Sequence, residues 1–146
     1  MPAQEAITAS RFTVSIDGVE IATFSELQGI TTEIATVDSI ESSDQGVVIR
    51  KIAGNPIPPK VVLKRGKTNS MQLWAWHESA VQGEMGAARK SCSLVMYDSS
   101  GKPTAKYYLE RAWPSKLEVG ALKAGANEVL TESVTIVCEN IQRVAP

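Results

Sequence analysis

Thr31-Thr-Glu-Ile-Ala-Thr-Val-Asp-Ser-Ile40, followed by Glu41-Ser-Ser-Asp-Gln-Gly46 and Val47-Val-Ile-Arg-Lys-Ile52, is the stretch on which the fold turns. Thr31 to Ile40 is dense in β-branched side chains, with Ile34 on one face and Glu33 on the other, which predicts a long strand. Gly29 interrupts the chain just before it. The polar run Glu41 to Gly46 reads as a turn into Val47 to Ile52, so residues 31–52 are expected to form one extended hairpin arm. Beyond the arm, Gly54-Asn-Pro-Ile-Pro-Pro59 carries three prolines, which lack donors and fix φ, and an irregular connector is expected there.

On the amino-terminal side, Arg11-Phe-Thr-Val-Ser-Ile16 alternates at period two and meets Asp17-Gly18, a dipeptide suited to a tight hairpin, before Val19 to Phe24 resumes extended character. On the other side, Val61-Val-Leu-Lys-Arg65 reads as a strand ending at Gly66. Thr68 or Asn69 then offers an N-cap for a helix over Asn69 to Gln82, whose stripe of Leu73, Trp74, Trp76 and Ala80 would cover a sheet, with Gly83 and Gly86 stopping it. Lys90 to Asp98 alternates with Cys92, Leu94 and Met96 on one side, and Asp98-Ser-Ser-Gly101 turns it into a partner strand over Thr104 to Trp113. In the last strand, Asn127 to Glu139, Leu130, Val134, Ile136 and Cys138 face one way and Thr131, Ser133 and Thr135 the other. The expected fold is mainly β: a small antiparallel β-barrel or sandwich of about seven strands, with a long β-hairpin arm and one packed helix.

The 146 residues suit a single domain over 1–146, with flexible ends at about 1–10 and 142–146. Hydrophobic residues at 43% and charged residues at 21% exclude global disorder, and a net charge of −1 supplies no field for nucleic acid or an anionic membrane. No stretch reaches the roughly 18 apolar residues of a membrane span, and Met1 to Ser10 lacks the basic start and apolar run of a signal peptide, so synthesis in the cytoplasm without export is expected. Cys92 and Cys138 lie on separate apolar segments and read as buried thiols rather than a bridge.

Catalytic chemistry finds no footing in the sequence. The single histidine, His77, has no adjacent serine or cysteine motif, and Gly66-Lys67-Thr68 imitates the end of a phosphate loop without the glycines that would expose backbone donors. Neither a zinc spacing nor a calcium loop is present, so no catalytic, cofactor or metal site is expected. Trp74, Trp76 and Trp113 could form a stacking platform, but apolar neighbours and helical spacing favour packing in the core. Lys64, Arg65 and Lys67 read as a solvated strand end.

Phe12-Thr-Val-Ser-Ile-Asp-Gly18, Phe24-Ser-Glu-Leu-Gln-Gly29, Val62-Leu-Lys-Arg-Gly66 and Leu73-Trp-Ala-Trp76 together resemble the contractile-tail tube protein family. That family supplies the inner tube of contractile phage tails, phage-tail-like bacteriocins and extracellular contractile injection systems. Arg111-Ala-Trp-Pro-Ser-Lys116 is similar to the family's Asn-Ala-Trp-Pro-x-Lys, departing from it at Arg111, and Asn127-Glu-Val129 through Glu132 and Cys138-Glu139 resembles its final strand, so the likeness spans roughly residues 11–142. The resemblance implies hexameric rings that stack into a hollow tube, with sheets joined edge to edge into a continuous inner β-barrel. It implies a sheath, a baseplate and a terminator or cap as partners, protein effector or DNA as cargo, and residence in an assembled phage tail or injection particle, within the cell or released from it. No specific nucleic-acid binding and no stable membrane insertion are expected. A type VI secretion-like carrier and a monomeric ligand-binding β module are the competing functions.

If the resemblance holds, alternation selects the residues of the bore, because a water-filled barrel is polar inside. The lumen candidates are Thr31, Glu33, Ala35, Ser91, Ser93, Thr131, Ser133 and Thr135, whose alternative is a plain solvent face on a monomer. Such a lining, without stacking aromatics or a basic stripe, would let cargo slide. Glu41, Asp44, Gln45, Asn55 and Pro56 are candidates for contact with neighbouring subunits or rings, or else for ordinary solvent loops. Gln72, His77 and Glu78 are the candidates facing the sheath.

Overall fold

The computed structural model describes residues 10–16, 19–66, 71–120 and 131–145. Among them, eight strands and two helices follow in the order β1 (Arg11–Ile16), β2 (Val19–Phe24), β3 (Glu26–Ser43), β4 (Gly46–Gly66), α1 (Gln72–Val81), α2 (Met85–Ala88), β5 (Lys90–Tyr97), β6 (Pro103–Val119), β7 (Thr131–Val137) and β8 (Asn140–Val144). The sheet order is β2-β1-β5-β6-β7-β4-β3, with β8 paired to β6 and every pairing antiparallel. The mainly β expectation holds, with one strand and one short helix more than the sequence suggested. The Asp17-Gly18 turn, the proposed cap at Thr68 or Asn69, the Gly66-Lys67-Thr68 imitation beyond Gly66 and the start of the last strand through Leu130 lie outside the described residues.

The sheet path returns to its own beginning because Ser25 alone separates β2 from β3, and the Ser25 amide donates to the Lys64 carbonyl at 3.1 Å. The result is a flattened barrel with two walls. One wall holds β2, β1, β5, β8 and the front half of β6, and the other holds the back half of β6 with β7, β4 and β3. Alternation sends Phe12, Val14, Phe24, Leu63, Cys92, Leu94, Leu109, Val134 and Ile136 into the space between the walls. Burial pushes the Cys92 thiol up to about 12, helped by nearby Cys138, and the Cys138 thiol up to about 11, so both behave as protonated core side chains.

β6 reaches Val119, past its expected end at Trp113, because it serves both walls. Its front half pairs β8 as far as Glu110↔Asn140, and its back half pairs β7 from Trp113↔Val137. β7 and β8 are thus nearly one strand with a kink, and opposite that kink Arg111 adopts φ 51. The extra residue bends β6 from one wall into the other, as a β-bulge does. Residues 142–144, expected to belong to a loose end, are the last positions of β8.

The proline segment needs correcting. It is not an irregular connector, for β4 runs unbroken from Gly46 to Gly66. Glu33↔Ile57 and Ile34↔Pro56 are paired, with register shifts on either side between Thr31 and Glu33 and between Ile34 and Thr36. The shifts absorb the residues that cannot donate, including Pro58, and β4 is laddered there on its β3 side alone, because β7 has already ended. A Cβ on Gly54, inside the second shift, would lie 2.9 Å from the Ala35 carbonyl oxygen. What the prolines do end is the ladder to β7, whose last pair is Lys60↔Val137, so the β3–β4 ribbon peels away from the wall there. Gly29 likewise sits at a bulge within β3 rather than ahead of it, and the turn at the tip narrows to Asp44 and Gln45 between the last pair, Ser43↔Gly46. Gly46 holds φ 119, a conformation that side chains disfavour.

α1 buries Leu73 and Trp76 against the core, and α2 supplies the Ala88 carbonyl to the Trp76 indole N–H at 2.6 Å. Gly83, at φ 80, ends α1 as expected, whereas Gly86 lies inside α2. Trp74 is not part of the buried stripe and is 45% exposed. At the β5–β6 turn the Asp98 carboxylate accepts from the Ser100 hydroxyl and from the Ser100 and Lys102 amides, which holds its carboxyl below the ordinary range. No helix among the described residues is long and apolar enough to cross a membrane.

Candidate functional site

The outer face of the β6–β7–β4–β3 wall is built in cross-strand rows. One row is Trp113, Val137, Lys60 and Thr31; the next is Lys116, Thr135, Val62 and Gly29; a third is Glu118, Ser133, Lys64 and Glu26. Thr131 stands opposite Gly66 at the far end. Thr131, Ser133 and Thr135 are half-buried between the buried Glu132, Val134 and Ile136, as period two requires.

The structure therefore gathers Thr31, Thr131, Ser133 and Thr135 on one polar, shallowly concave face. Glu33 and Ala35 fall on the ribbon beyond the end of β7. Ser93 pairs with Ser15 and Tyr108 on the other wall, so it and Ser91 face the opposite way. The face is also more basic than the hydroxyl lining read from the sequence, since Lys60, Lys64 and Lys116 stand on it with Glu26 and Glu118. Lys116 Nζ lies 3.5 Å from Glu118 Oε2, with both side chains mostly exposed. The spacing Lys60-Val-Val-Leu-Lys64 held this signal, because two lysines four apart in a strand share a face.

Arg65 departs from its reading as part of a solvated strand end. It points inward, 5% exposed, and meets Glu132, 7% exposed, through Nε at 3.3 Å and Nη2 at 3.0 Å. Its guanidinium lies over the Phe24 ring, 5.2 Å from the centroid, where β2 closes on β4. Lys67 lies outside the described residues.

The ribbon carries Glu41, Asp44, Gln45, Asn55 and Pro56 and exposes both faces. Cross-strand pairing puts Val37 opposite Ile52, with Val48 further along the same face, and puts Ile40 opposite Ile49, with Val47, on the reverse face. All six are exposed, Ile40 by 71%. Only exposed ion pairs, Arg50 to Glu41 and Lys51 to Asp38, dress the ribbon. Exposed apolar surface on both sides of a two-stranded ribbon is a liability in an isolated chain.

On α1, Gln72 is exposed and Glu78 half-buried, and His77 does not present its ring outward, because Nδ1 sits 3.0 Å from the Pro114 carbonyl oxygen. The exposed apolar residues of this region are Met71, Trp74 and Val81. Of the three tryptophans only Trp76 joins the core, while Trp113 lies half-buried on the outer wall face.

Trp113 borders a cavity of about 370 Å³ that it shares with Arg89, Arg111, Ser115, Pro58 and Glu139. Arg111 Nε reaches Glu139 Oε1 at 3.1 Å, both groups more than half exposed. A left-handed backbone costs an ordinary residue roughly 1–2 kcal/mol, and an exposed ion pair returns about 0–1 kcal/mol, so the pair does not offset the strain. Asn, the residue that the resemblance places here, tolerates this conformation. Arg111→Asn is accordingly expected to raise the unfolding free energy by about 1 kcal/mol in urea denaturation of the monomer, and a fall in stability would show that the arginine is not strained.

A polar wall whose margins are open among the described residues and an apolar ribbon exposed on both faces describe a piece of a larger assembly. The family model of the T4-like virus tail tube protein gp19 matches residues 8–142. The chain belongs to that family. Solved structures show the same fold in other chains. One, in the six-fold-symmetrised baseplate of the anti-feeding prophage, is 16% identical over 99% of this tail tube protein and 98% of that chain, with a TM-score of 0.76. Another, in the extended sheath–tube complex of the PVC extracellular contractile injection system, is 16% identical over 99% and 95%, with a TM-score of 0.73. Hcp1 from Flavobacterium johnsoniae is 14% identical over 92% and 95%, with a TM-score of 0.53. Comparison with curated proteins by sequence gives no match.

Proposed function

We propose that this tail tube protein closes into six-membered rings that stack into a hollow conduit, with the β6–β7–β4–β3 wall facing the bore. The observation that carries the reading is the pair of open margins on that wall. Among the described residues, neither Glu26 to Thr31 of β3 nor Pro114 to Val119 of β6 has a second strand partner. Pairing the β3 margin of one copy with the β6 margin of the next satisfies both and repeats a four-stranded wall around a ring. The six-fold symmetry is supported by the anti-feeding prophage chain of the same fold.

The bore is then lined by Thr131, Ser133, Thr135 and Thr31 with interspersed Lys60, Lys64, Lys116, Glu26 and Glu118. Charges of both signs and small hydroxyls hold no cargo firmly, which suits passage of a protein effector or DNA. Sheath, baseplate and cap complete the particle, with half-buried Glu78 and exposed Trp74 of α1 toward the sheath. The tube works mechanically and contributes no chemistry.

Negative-stain images of purified protein are expected to show annular particles or tubes. A gold cluster attached through Ser133→Cys is expected to add density in the central hole. Monodisperse monomer at high concentration, even with an initiating baseplate, overturns the ring, and gold density on the outer rim overturns the orientation of the wall.

A further inference from the structure

The polar wall face carries an excess of cations. Lys60, Lys64 and Lys116 stand on it, and Arg89 and Arg111 border the cavity beside Trp113, against the carboxylates of Glu26, Glu118 and Glu139. Glu33, at the root of the ribbon, is a fourth acid near the same end. With it counted, the face still holds one positive charge in excess, although the whole chain carries −1. Pairing within the copy sharpens the contrast. Glu118 is held by Lys116 and Glu139 by Arg111, which leaves Lys60, Lys64 and Arg89 without an ion pair among the described residues. Arg111 keeps a backbone at φ 51 that its exposed ion pair does not offset, so its guanidinium has a use beyond Glu139. At the same place the face has its aromatic. Trp113 shares a row with Val137 and Lys60, and Val137 and Pro58 border its cavity, so a half-buried indole with apolar neighbours stands among cations.

From this cluster we propose that the bore binds acidic polypeptide, with carboxylates on Lys60, Arg89 and Arg111 and apolar side chains against Trp113. The inference rests on the tube reading and names the class of cargo. Arginine meets a carboxylate through two parallel N–H donors, and the indole offers a flat apolar surface beside them. Each exposed pair is weak and screened by salt. Copies around a ring and ring upon ring repeat it, so a chain lying along the wall is held by many contacts at once and still slides. Nucleic acid fits the face less well. A duplex carries a phosphate charge about every 1.7 Å along its axis, with no cation of its own to set against Glu26, Glu118 and Glu139, whereas an acidic polypeptide also carries basic side chains.

The test uses assembled tubes of the full chain and a fluorescent glutamate-rich peptide with scattered leucines. Its counterpart with lysine for glutamate and a thymidine oligonucleotide of equal charge serve as comparisons. Co-sedimentation is expected to retain the acidic peptide alone at low salt and to release it at high salt. Lys60→Gln combined with Arg89→Gln changes two exposed side chains outside the ion pairs, and is expected to leave tubes intact and weaken retention about tenfold. A quencher on the peptide is expected to dim a dye attached through Ser133→Cys, a readout that does not depend on assembly of the double variant. Wild-type tubes that ignore the acidic peptide, that favour the lysine peptide or the oligonucleotide, or that bind the acidic peptide without dimming the dye overturn the inference. So does a double variant whose tubes retain the peptide like wild type. In each case the tubes themselves keep the tube reading, and gold at Ser133→Cys reports separately on the orientation of the wall. Absence of wild-type tubes removes the tube reading and this inference with it.

Discussion

Glu132→Ala is expected to destabilise the folded monomer by about 3–5 kcal/mol, because it leaves the Arg65 charge buried without its partner. That loss is a large part of the roughly 5–15 kcal/mol that holds a domain of this kind together. With a urea m-value of about 1–3 kcal/mol per molar, the unfolding midpoint drops by one molar or more. The position aggravates the damage. Arg65 and Glu132 face each other across β4 and β7, and the guanidinium lies over Phe24 at the seam where β2 and β4 close the barrel. An unpaired cation there draws water into the seam. Glu132→Gln keeps an acceptor for the Arg65 N–H groups and is expected to cost less, and replacing both residues by leucine is expected to be near neutral, since burial of the pair is itself expensive. A loss below about 1 kcal/mol for Glu132→Ala would show that the pair is effectively solvated.

Arg65 also shows where reading the chain one residue at a time stops. In Val61-Val-Leu-Lys-Arg65 the inward positions are Val61, Leu63 and Arg65, and strict alternation places the arginine in the core. Side-chain type argued for solvent; only the partner 67 positions later resolves the conflict. Strands with local alternation were legible for this reason: β1, β2 and β5 match their expected limits nearly residue for residue. β8 was not legible, because its strand character follows from pairing with β6 and its residues Asn140-Ile-Gln-Arg-Val144 show no apolar alternation. The proline segment misled for a similar reason. Prolines do bar a ladder, but a strand has two sides, and here the ladder to β7 stops at Lys60 while the one to β3 continues across Ile57 and Pro56.

The polar wall was partly legible. Thr131, Ser133 and Thr135 follow from the period of one strand, whereas the placement of Ser93 on the opposite wall depends on how the sheet wraps. The closing contact at Ser25 is a single residue with no signature of its own. Arg111 departs from the family pattern at the one non-glycine residue with positive φ among those described, which ties the departure to the backbone rather than to chance variation.

The ribbon decides whether such a chain survives alone. Ile40→Ser with Ile49→Ser is expected to abolish rings and tubes at every accessible concentration while the monomer keeps its melting temperature. The two isoleucines face each other across β3 and β4, well beyond the last residue of the wall, so the core does not feel their loss. Burying an isoleucine against a neighbour stabilises by about 1.5–3 kcal/mol, so the pair supplies about 3–6 kcal/mol to each subunit contact, a factor of at least a hundred in association. In a closed ring that penalty recurs at every contact, and assembly disappears instead of weakening. Sedimentation and electron microscopy on the purified variant check the outcome. The reverse face allows a sharper comparison, because Val48→Ser with Ile52→Ser removes a similar apolar area from the other side of the same ribbon. If both faces are covered in the assembly, both variants lose it. Rings that persist in one variant but do not stack would assign that face to the contact between rings, and normal tubes in both would show that the ribbon is bare in the particle.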